Sequence, residues 1–514
     1  MKKQFLLLPF IAFSIHLSAQ LVYKDVAGIF YSRCTSCHHK NGGAPFSLMN
    51  YSETSPFASS IQSAIQSGKM PPWSPDTSYT RFLHERTLTV SEKNNIISWI
   101  TNGAQQGDTT LAPNPPVYST KYKLKGKPDL IIKIPAFPSN GAGNDAYNCF
   151  SLPTGLAQDR IVRAFEVVPN NPAIVHHVVV KVDSTGTIAS NTSGSCFSQP
   201  GQFDLDVYAP GGAPTVFPGK SPLKMGVRIK NGSNIILQVH YPSGTAGLID
   251  STEMRIYFYP LNETGIRPVK IATPLQNWLM NIPANTTTTF GAQVNIPSAV
   301  SVFGCFPHSH LLCKTMLNYA NNGVDTVKLI RINNWDFEWQ GFYTFRNLVK
   351  IPAGYTLRSS HLFDNTTANP NNPNSPPKTV TAGEGTDDEM LFDSFQWIDY
   401  QPGDELIDIA NILATDSLLT SIPMAFDAYK QETKSFIFPN PLNERATLWV
   451  EGFNFISQKP TLRIFNVLGV EMNTQQLNSE KENLFLDKLP GGIYFYSVTD
   501  GINNATGKFL ILQK

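Results

Sequence analysis

A short motif near the start of the chain combines two thiols and an imidazole. Residues 33 to 38 read RCTSCH, which contains the C-x-x-C-H spacing of Cys34, Cys37 and His38. Two thiols at this spacing can add to the vinyl groups of haem, and the following imidazole can then bind the iron. A thioredoxin-like redox pair would need a preceding strand in a βαβ unit, and a zinc site would find only His39 as a further ligand nearby. The motif therefore predicts covalent haem attachment.

The residues that follow supply the rest of a small haem domain. The stretch SGKMPPW places Met70 in a proline-flanked loop, where a soft thioether can act as the sixth iron ligand. The stretch TVSEKNNIISWITNGA predicts a closing helix over 89–104, with Ser91 as its N-cap and Gly103 at its end. Residues 21–108 resemble a class I cytochrome c domain, which is α-helical.

Five histidines fall in three short apolar segments further along the chain. The segments are NPAIVHHVVVKVD, IILQVHYPSG and FGCFPHSHLLC. His308 and His310 are two residues apart, so on a strand they share one face and can chelate one metal ion. His176 and His177 can converge only if their strand bulges or ends there, or if one ring binds through its nearer nitrogen. His240 is available as a third ligand, and the residues alone leave open whether there are one or two sites.

The order of these segments resembles the copper type II, ascorbate-dependent monooxygenases, the family of peptidylglycine α-hydroxylating monooxygenase and dopamine β-monooxygenase. The matching stretches are VHHVVV, LQVHY, PHSHLLCK and TDDEMLF, and NNWDFEWQGFY (333–343) is similar to a Trp-Asp and Trp-Gln strand of that family. The resemblance spans about residues 128–400. It implies a first copper centre for electron transfer and a second where O2 is activated. It assigns His176, His177 and His240 to the first centre, and His308, His310 and Met390 to the second.

The resemblance also bears on the cysteines and on the substrate. It implies a disulfide between Cys149 and Cys196, and it leaves the pairing of Cys305 and Cys313 open. The peptide-amidating branch has a substrate-binding arginine where this chain has Phe306, and a tyrosine where it has Ser394. Peptidylglycine is therefore a poor candidate, and Phe306 favours an apolar or neutral substrate.

The two ends of the chain carry transport signals. The first 20 residues combine two lysines, a short apolar stretch and small residues, which predicts a secretory signal peptide. The C-terminus contains FPNP, GGIYFYSV and GKFLI, and it resembles the sorting domain of the type IX secretion system; a small accessory β-sandwich is the alternative. We expect an exported protein without a transmembrane segment, delivered by the type IX machinery to the cell surface or the medium. The net charge of +1, without a basic run, argues against a nucleic-acid partner.

The predicted fold is multidomain and mainly β. Short apolar strands separated by Asn, Gly and Pro turns indicate antiparallel, jelly-roll-like β-sandwiches for the two copper domains. A small β-sandwich sorting domain follows them. The predicted segments are a signal peptide (1–20), a cytochrome c-like haem domain (21–108), a linker (109–127), two copper β-sandwiches (128–263 and 264–400), a second linker (401–432) and the sorting domain (433–514).

Together these features predict a secreted copper-dependent monooxygenase. It would hydroxylate a substrate C–H bond with O2, using two copper ions and one covalently bound c-type haem. Electrons would come from an external donor, either ascorbate or a redox protein, and would pass through the haem domain. The substrate is a small molecule or a peptide. Two other classes stay open: a non-enzymatic haem and copper electron-transfer or copper-binding surface protein, and a metal hydrolase, although no H-E-x-x-H motif is present.

Overall fold

The structure is a computed structural model in which the chain forms two compact units, Met1–Met424 and Ala425–Lys514. The predicted signal peptide, apart from Gln20, and Cys196 lie outside the described residues. The described residues are 20–40, 42–118, 122–194, 200–419, 434–443, 445–451, 453, 455, 459–500 and 504–512.

The first unit begins with four helices. Their buried face is aromatic, because Phe30 and Tyr23 both pack against Trp99, with ring centroids 5.9 Å apart in each pair. The N-cap of the last helix lies two residues earlier than predicted. Thr89, and not Ser91, caps it and accepts a hydrogen bond from the backbone N–H of Glu92. The helices are α1 (Tyr23–Arg33), α2 (Tyr51–Thr54), α3 (Ala58–Gln66) and α4 (Val90–Thr101).

Two main sheets follow the helices. The larger has the strand order β1-β12-β4-β9-β13, with β7 paired to β4 and β8 to β9; the smaller has the order β3-β10-β5-β6, and β2 pairs with β11. The strands β5 and β10 lie in the middle of the smaller sheet and are almost entirely buried, so their valine and isoleucine runs face protein on both sides. The strands are β1 (Leu130–Lys133), β2 (Phe137–Pro138), β3 (Ala146–Pro153), β4 (Arg160–Val168), β5 (His177–Asp183), β6 (Gln202–Tyr208), β7 (Thr215–Val216), β8 (Gly219–Lys220), β9 (Leu223–Ile229), β10 (Asn234–Tyr241), β11 (Ile249–Asp250), β12 (Glu253–Phe258) and β13 (Arg267–Pro268).

Two further four-stranded sheets share a second core. Their orders are β14-β23-β17-β20 and β16-β21-β18-β19, and β15 pairs with β22. The strict alternation of buried and half-buried residues along β21 shows one face packed on the core and one turned outward. The strands are β14 (Lys270–Gln276), β15 (Asn281–Ile282), β16 (Thr287–Asn295), β17 (Val300–Phe306), β18 (Cys313–Asn321), β19 (Thr326–Ile332), β20 (Tyr343–Ile351), β21 (Thr356–Asp364), β22 (Val380–Thr381) and β23 (Phe392–Asp399).

The segment after α3 joins the helical part to the second core. Phe82 is buried in that core and stacks on Phe345 of β20, with ring centroids 5.0 Å apart. Trp73 packs edge-on against Tyr343, and an ion pair of 2.7 Å joins Asp76 to Arg331. The helical part therefore shares its hydrophobic contacts with the β-sheets that follow it.

The two predicted linkers include residues with definite packing. In the first, Tyr118 stacks on His39 with ring centroids 3.9 Å apart, and Leu124 is buried. The second begins with a helix, α5 (Ile409–Ala414), whose buried side chains pack on the preceding sheets. An ion pair of 2.7 Å between Asp416 and Arg163 fastens it. The strands β1 to β13 form the first core domain, and the sheets that share the second core form the second. The first core domain extends past the predicted boundary at 263, because β13 pairs with β9.

The second unit consists of two antiparallel sheets around their own apolar core. The sheet orders are β24-β25-β28 and β27-β26-β29-β30. Leu448, Ile464 and Val498 are among its fully buried side chains. The strands are β24 (Lys434–Phe438), β25 (Arg445–Glu451), β26 (Thr461–Asn466), β27 (Glu471–Gln476), β28 (Lys481–Phe485), β29 (Gly492–Thr499) and β30 (Asn504–Ile511).

Candidate metal centres

The structure brings His176, His177 and His240 together at one end of the smaller sheet. β5 begins at His177, so His176 lies just outside the strand. Its side chain therefore need not point to the face opposite that of His177. His240 of β10 lies directly opposite His177, and it accepts the backbone N–H of His176 at 3.0 Å. One nitrogen from each ring lies within 4.8 Å of the others. We name this group the three-histidine site.

The spacing of the ring nitrogens fits a single bound ion. The Nδ1 atom of His177 lies 3.1 Å from that of His176 and 3.3 Å from that of His240. With metal–imidazole bonds of about 2.0–2.1 Å, two nitrogens on one ion are separated by roughly 2.9–3.4 Å. Three imidazoles with these separations therefore match the ligand set of a copper or zinc ion.

Carboxylates hold two of the rings in the ligating tautomer. The Nε2 atom of His240 lies 2.9 Å from Asp145, and that of His176 lies 2.8 Å from Glu338. A carboxylate at Nε2 keeps the ring proton there and leaves the Nδ1 lone pair directed at the centre. Burial lowers the pKa of His240, and it lowers the pKa of His177 well below its ordinary value. His177 and His240 are thus neutral at pH 7, as metal ligation requires.

His308 and His310 form a second pair, which we name the His-x-His loop (307–310). They lie between β17 and β18, so the prediction that they share a strand face is wrong; their ring centroids are nevertheless 5.2 Å apart. Nδ1–H of His308 donates to Gln340 at 2.7 Å, and Nδ1–H of His310 donates to the carbonyl of Asp388 at 3.1 Å. Both rings therefore keep Nε2 as a free acceptor. Burial lowers the pKa of His308 to about 3 and that of His310 to about 4.

Glu389 ties the His-x-His loop to Met390. Its buried carboxylate accepts the backbone N–H groups of His310 at 3.0 Å, Leu312 at 2.6 Å and Met390 at 3.1 Å. Burial raises the pKa of this carboxyl to about 8. A single side chain thus fixes the backbone on both sides of the predicted second centre.

Both groups of candidate ligands open onto one cavity of about 580 Å³. His177 lines it from the first core domain, and His308, His310 and Met390 line it from the second. Met390 is 3 % exposed. Three nitrogen ligands, two further imidazoles and a thioether around one cavity form a donor set that suits copper in either oxidation state, because the soft thioether favours Cu(I).

The C-x-x-C-H motif lies at the end of α1, where Cys34 is the C-cap residue. Cys34 and Cys37 are free thiols, and burial raises the pKa of Cys34 to about 12. Nδ1–H of His38 donates to the carbonyl of Phe46 at 3.1 Å, so Nε2 can accept an iron. Two free thiols and an oriented imidazole fit covalent haem. Met70 lies in the turn after α3, and its ligand role stays a prediction.

The other cysteines differ from one another in state. Cys149 is disulfide-bonded, and its expected partner Cys196 lies outside the described residues. Cys305 and Cys313 are both free and buried, so they form no mutual bond.

Ser394, where the peptide-amidating enzymes have a tyrosine, hydrogen bonds with Thr273 at 2.6 Å.

Four supporting residues were missed by the sequence interpretation: Asp145, Glu338, Gln340 and Glu389. Glu338 and Gln340 lie in the 333–343 segment, which forms a loop between β19 and β20, not the predicted strand. For Glu338, Gln340 and Glu389 the signal was their position inside NNWDFEWQGFY and TDDEMLF, two stretches noted above for their resemblance. Asp145 lies in the stretch DAYNC, close before Cys149. Carboxylate and amide side chains next to predicted histidine ligands are the groups that orient imidazoles.

Comparison with known proteins identifies the C-terminal part of the chain. Residues 436–512 match a family model described as a secretion system C-terminal sorting domain, which confirms the predicted sorting domain. The protein is therefore exported and is either displayed at the cell surface or secreted. No helix among the described residues is long and apolar enough to span a membrane.

The remaining comparisons show little similarity. No curated protein matches the chain. A solved structure of a biofilm-associated protein BSP domain is 10% identical, with 77% of this chain and 84% of that chain covered and a TM-score of 0.25. The Faecalibacterium prausnitzii β-glucuronidase is 9% identical, with 49% and 47% covered and a TM-score of 0.14. A Ruminococcus gnavus β-glucuronidase is also 9% identical, with 49% and 46% covered and a TM-score of 0.15.

Proposed function

We propose that this exported protein is a copper-dependent monooxygenase that hydroxylates a substrate C–H bond. One observation carries the proposal: the three-histidine site and the His-x-His loop with Met390 open onto the same cavity. The resemblance to the copper type II monooxygenases assigns these six residues as ligands. The reaction consumes a C–H bond, O2, two electrons and two protons, and it yields the alcohol and water.

Copper ions held at the two centres would supply O2 activation and one-electron chemistry. The chain's own residues orient the ligands. Asp145 and Glu338 hold the Nε2 protons of His240 and His176, so that Nδ1 faces the metal position. Gln340 does the same for His308 through Nδ1, which leaves Nε2 to face the cavity. Burial lowers the pKa of His240 and of His308, so these two imidazoles bind a metal ion without first losing a proton.

Other residues shape the space in which the substrate lies. Glu389 fixes the backbone of His310 and Met390 together, which keeps the thioether and the imidazoles at a constant separation. Phe306 stacks on His308 and Phe337 meets His310 edge-on, with ring centroids 5.7 and 5.8 Å apart respectively. These rings exclude water from the ligands and leave the substrate C–H bond as the reactive group.

The helical domain is proposed to hold one c-type haem: Cys34 and Cys37 would anchor it covalently, and His38 and Met70 would bind its iron. A Met/His-ligated haem carries one electron at a raised potential. An external donor, either ascorbate or a redox protein, would supply the two electrons. The type IX secretion machinery is the remaining partner, which the sorting domain implies.

Metal analysis and oxygen uptake on the mature chain test this function. We expect two coppers and one covalent haem per chain, with O2 consumption that depends on reductant and candidate substrate. Zinc in place of copper would favour a hydrolase and would overturn the proposal. Two coppers without product from any candidate substrate would favour the alternative, a non-enzymatic electron-transfer or copper-binding surface protein.

Replacement of Met390 by leucine gives a sharper test, because it removes the sulfur and keeps the volume. Product formation should fall by at least 100-fold, and the three-histidine site should still bind its copper. Met316→Leu is the matched control, since Met316 is equally buried in the second core but does not line the cavity. Unchanged product formation in Met390→Leu would remove Met390 from the ligand set.

A further inference from the structure

The cavity that joins the two candidate centres has an unusual charge balance. Among the described residues that line it there is no lysine or arginine. Of its acidic lining residues, Asp145 and Asp204 are already paired with His240 and Lys181, and Glu384 is exposed to solvent, so a cation gains no buried free carboxylate either. A carboxylate or phosphate group on a ligand would therefore lose its hydration without gaining a cationic partner from the protein.

Phe306 makes the wall apolar at the point nearest to the His-x-His loop. It is 6 % exposed and forms an apolar cluster with Val179 and Val207 of the first core domain. Its ring stacks on that of His308 with an interplanar angle of 20°. An anion-binding group cannot replace this ring without opening the contact between the two core domains.

A second cavity of about 600 Å³ adjoins the first, since Asp204, Glu384 and Phe392 line both. Lys181 is its only cationic lining residue among those described, and its ammonium is paired with Asp204. Trp278 lines the outer part, and its ring meets that of Phe392 edge-on, with centroids 6.5 Å apart. Aromatic rings thus continue from the His-x-His loop to the half-exposed Trp278.

We infer that the substrate is an elongated, uncharged molecule with an aromatic or alkyl body. Its reacting end occupies the first cavity and its remainder extends over Phe392 towards Trp278. Apolar burial and ring contacts supply the binding energy, and neutral polar side chains such as Gln340 and Thr386 orient the ligand. This inference rests on the proposed function, because it treats the cavity as the substrate site.

Three probes that share a naphthyl body and differ in the charge of a short polar end group test the inference on the full mature chain. The probes are 2-naphthaleneacetamide, 2-naphthaleneacetate and 2-(2-naphthyl)ethylamine, and calorimetry measures their binding before and after copper loading. The amide should bind at least tenfold more tightly than the acetate, and the amine should bind no more tightly than the amide. An acetate affinity within tenfold of the amide, a preference for the amine, or no binding of any probe would overturn the inference.

A charge added inside the cavity should change this preference. Thr386 lines the first cavity, so Thr386→Lys should tighten acetate binding at least tenfold. Thr326→Lys is the matched control: Thr326 is exposed at the start of β19, outside both cavities, so acetate binding should not change. An equal effect of the two variants, or no effect of Thr386→Lys in a folded protein, would place the acetate outside this cavity.

The two proposals can fail separately. Copper stoichiometry is measured on the same samples without any ligand. A chain that holds two coppers but prefers the acetate would refute only the ligand class. A chain that prefers the amide but binds no copper would refute the proposed function and would leave a cavity for neutral ligands.

Discussion

Replacement of Asp145 by alanine should weaken copper binding at the three-histidine site by about 10- to 100-fold. Asp145 touches no metal position itself. It accepts Nε2–H of His240 at 2.9 Å, and its other oxygen accepts the backbone N–H of Ser243 at 2.9 Å. The carboxylate is thus held by the backbone and in turn holds the ring. Without it, the ring proton can move to Nδ1, where it would block the metal.

The size of the effect follows from where the two supporting carboxylates lie. A 10- to 100-fold loss corresponds to about 1.4–2.8 kcal/mol. His240 is almost fully buried and the side chain of Asp145 is 40 % exposed, so water competes less for this hydrogen bond than for one made by a more exposed carboxylate. The side chain of Glu338 is 67 % exposed, and its bond to His176 competes with water. Glu338→Ala should therefore cost no more than about 1 kcal/mol, or roughly fivefold.

The assay is a copper titration against a competing chelator. It is best made in a His308→Ala/His310→Ala background, so that only the three-histidine site reports. Thermal unfolding of the metal-free variants provides the check on folding. Asp159→Ala is the matched control, because Asp159 forms a surface ion pair with Arg228 in the same domain.

Three results would refute this reasoning. Wild-type copper affinity in Asp145→Ala would show that the carboxylate does not orient His240. An equal loss of affinity in Asp159→Ala would show that general charge, and not the hydrogen bond, is responsible. A larger loss in Glu338→Ala than in Asp145→Ala would also contradict the argument from burial.

Three further predictions follow from other parts of the structure. Met70→Ala should retain covalent haem but lower its reduction potential by about 0.1 V or more in a redox titration. Met49 is a methionine of the same domain, and the control variant Met49→Ala should leave the potential unchanged. Phe82→Ala should destabilise the second core by about 3–5 kcal/mol in denaturant unfolding, since Phe82 packs inside it, and a loss below 1 kcal/mol would contradict that packing. In the metal-free protein, burial keeps His310 neutral, because its pKa is about 4 in the folded state and about 6.5 in the unfolded state. The free energy of unfolding should therefore be highest above about pH 6.5 and should decrease as the pH falls towards about 4. The loss should approach about 3 kcal/mol at pH 4, and urea unfolding of His310→Asn should show a correspondingly shallower pH dependence.

Much of the organisation was predictable because it depends on local sequence. The residues at its two ends set α4 close to its expected position, and runs rich in valine and isoleucine set β5 and β10. The sorting domain was recognisable from its own strands, because such a domain folds around a separate core. The histidines could be identified as candidate ligands from the sequence, because burying an imidazole in a valine-rich strand costs free energy unless the ring has a hydrogen-bond or metal partner.

The linkers could not be predicted in this way. The first, residues 109–127, is rich in proline and threonine, which is the composition of a flexible segment. Yet Tyr118 stacks on His39, and Asp416 pairs with Arg163. The two residues of each contact lie far apart in the chain, and no local sequence pattern predicts such a long-range contact.

By itself, the sequence determined which residues can ligate a metal, because ligand chemistry belongs to the side chain. Only the tertiary structure decided how they are arranged. The end of β5 at His177 allows two neighbouring rings to turn towards one centre, and the pairing with β10 supplies His240 opposite. Asp145 and Glu338 reach these rings from distant segments. Those distances are set by sheet register and domain packing, which depend on contacts between residues far apart in the chain.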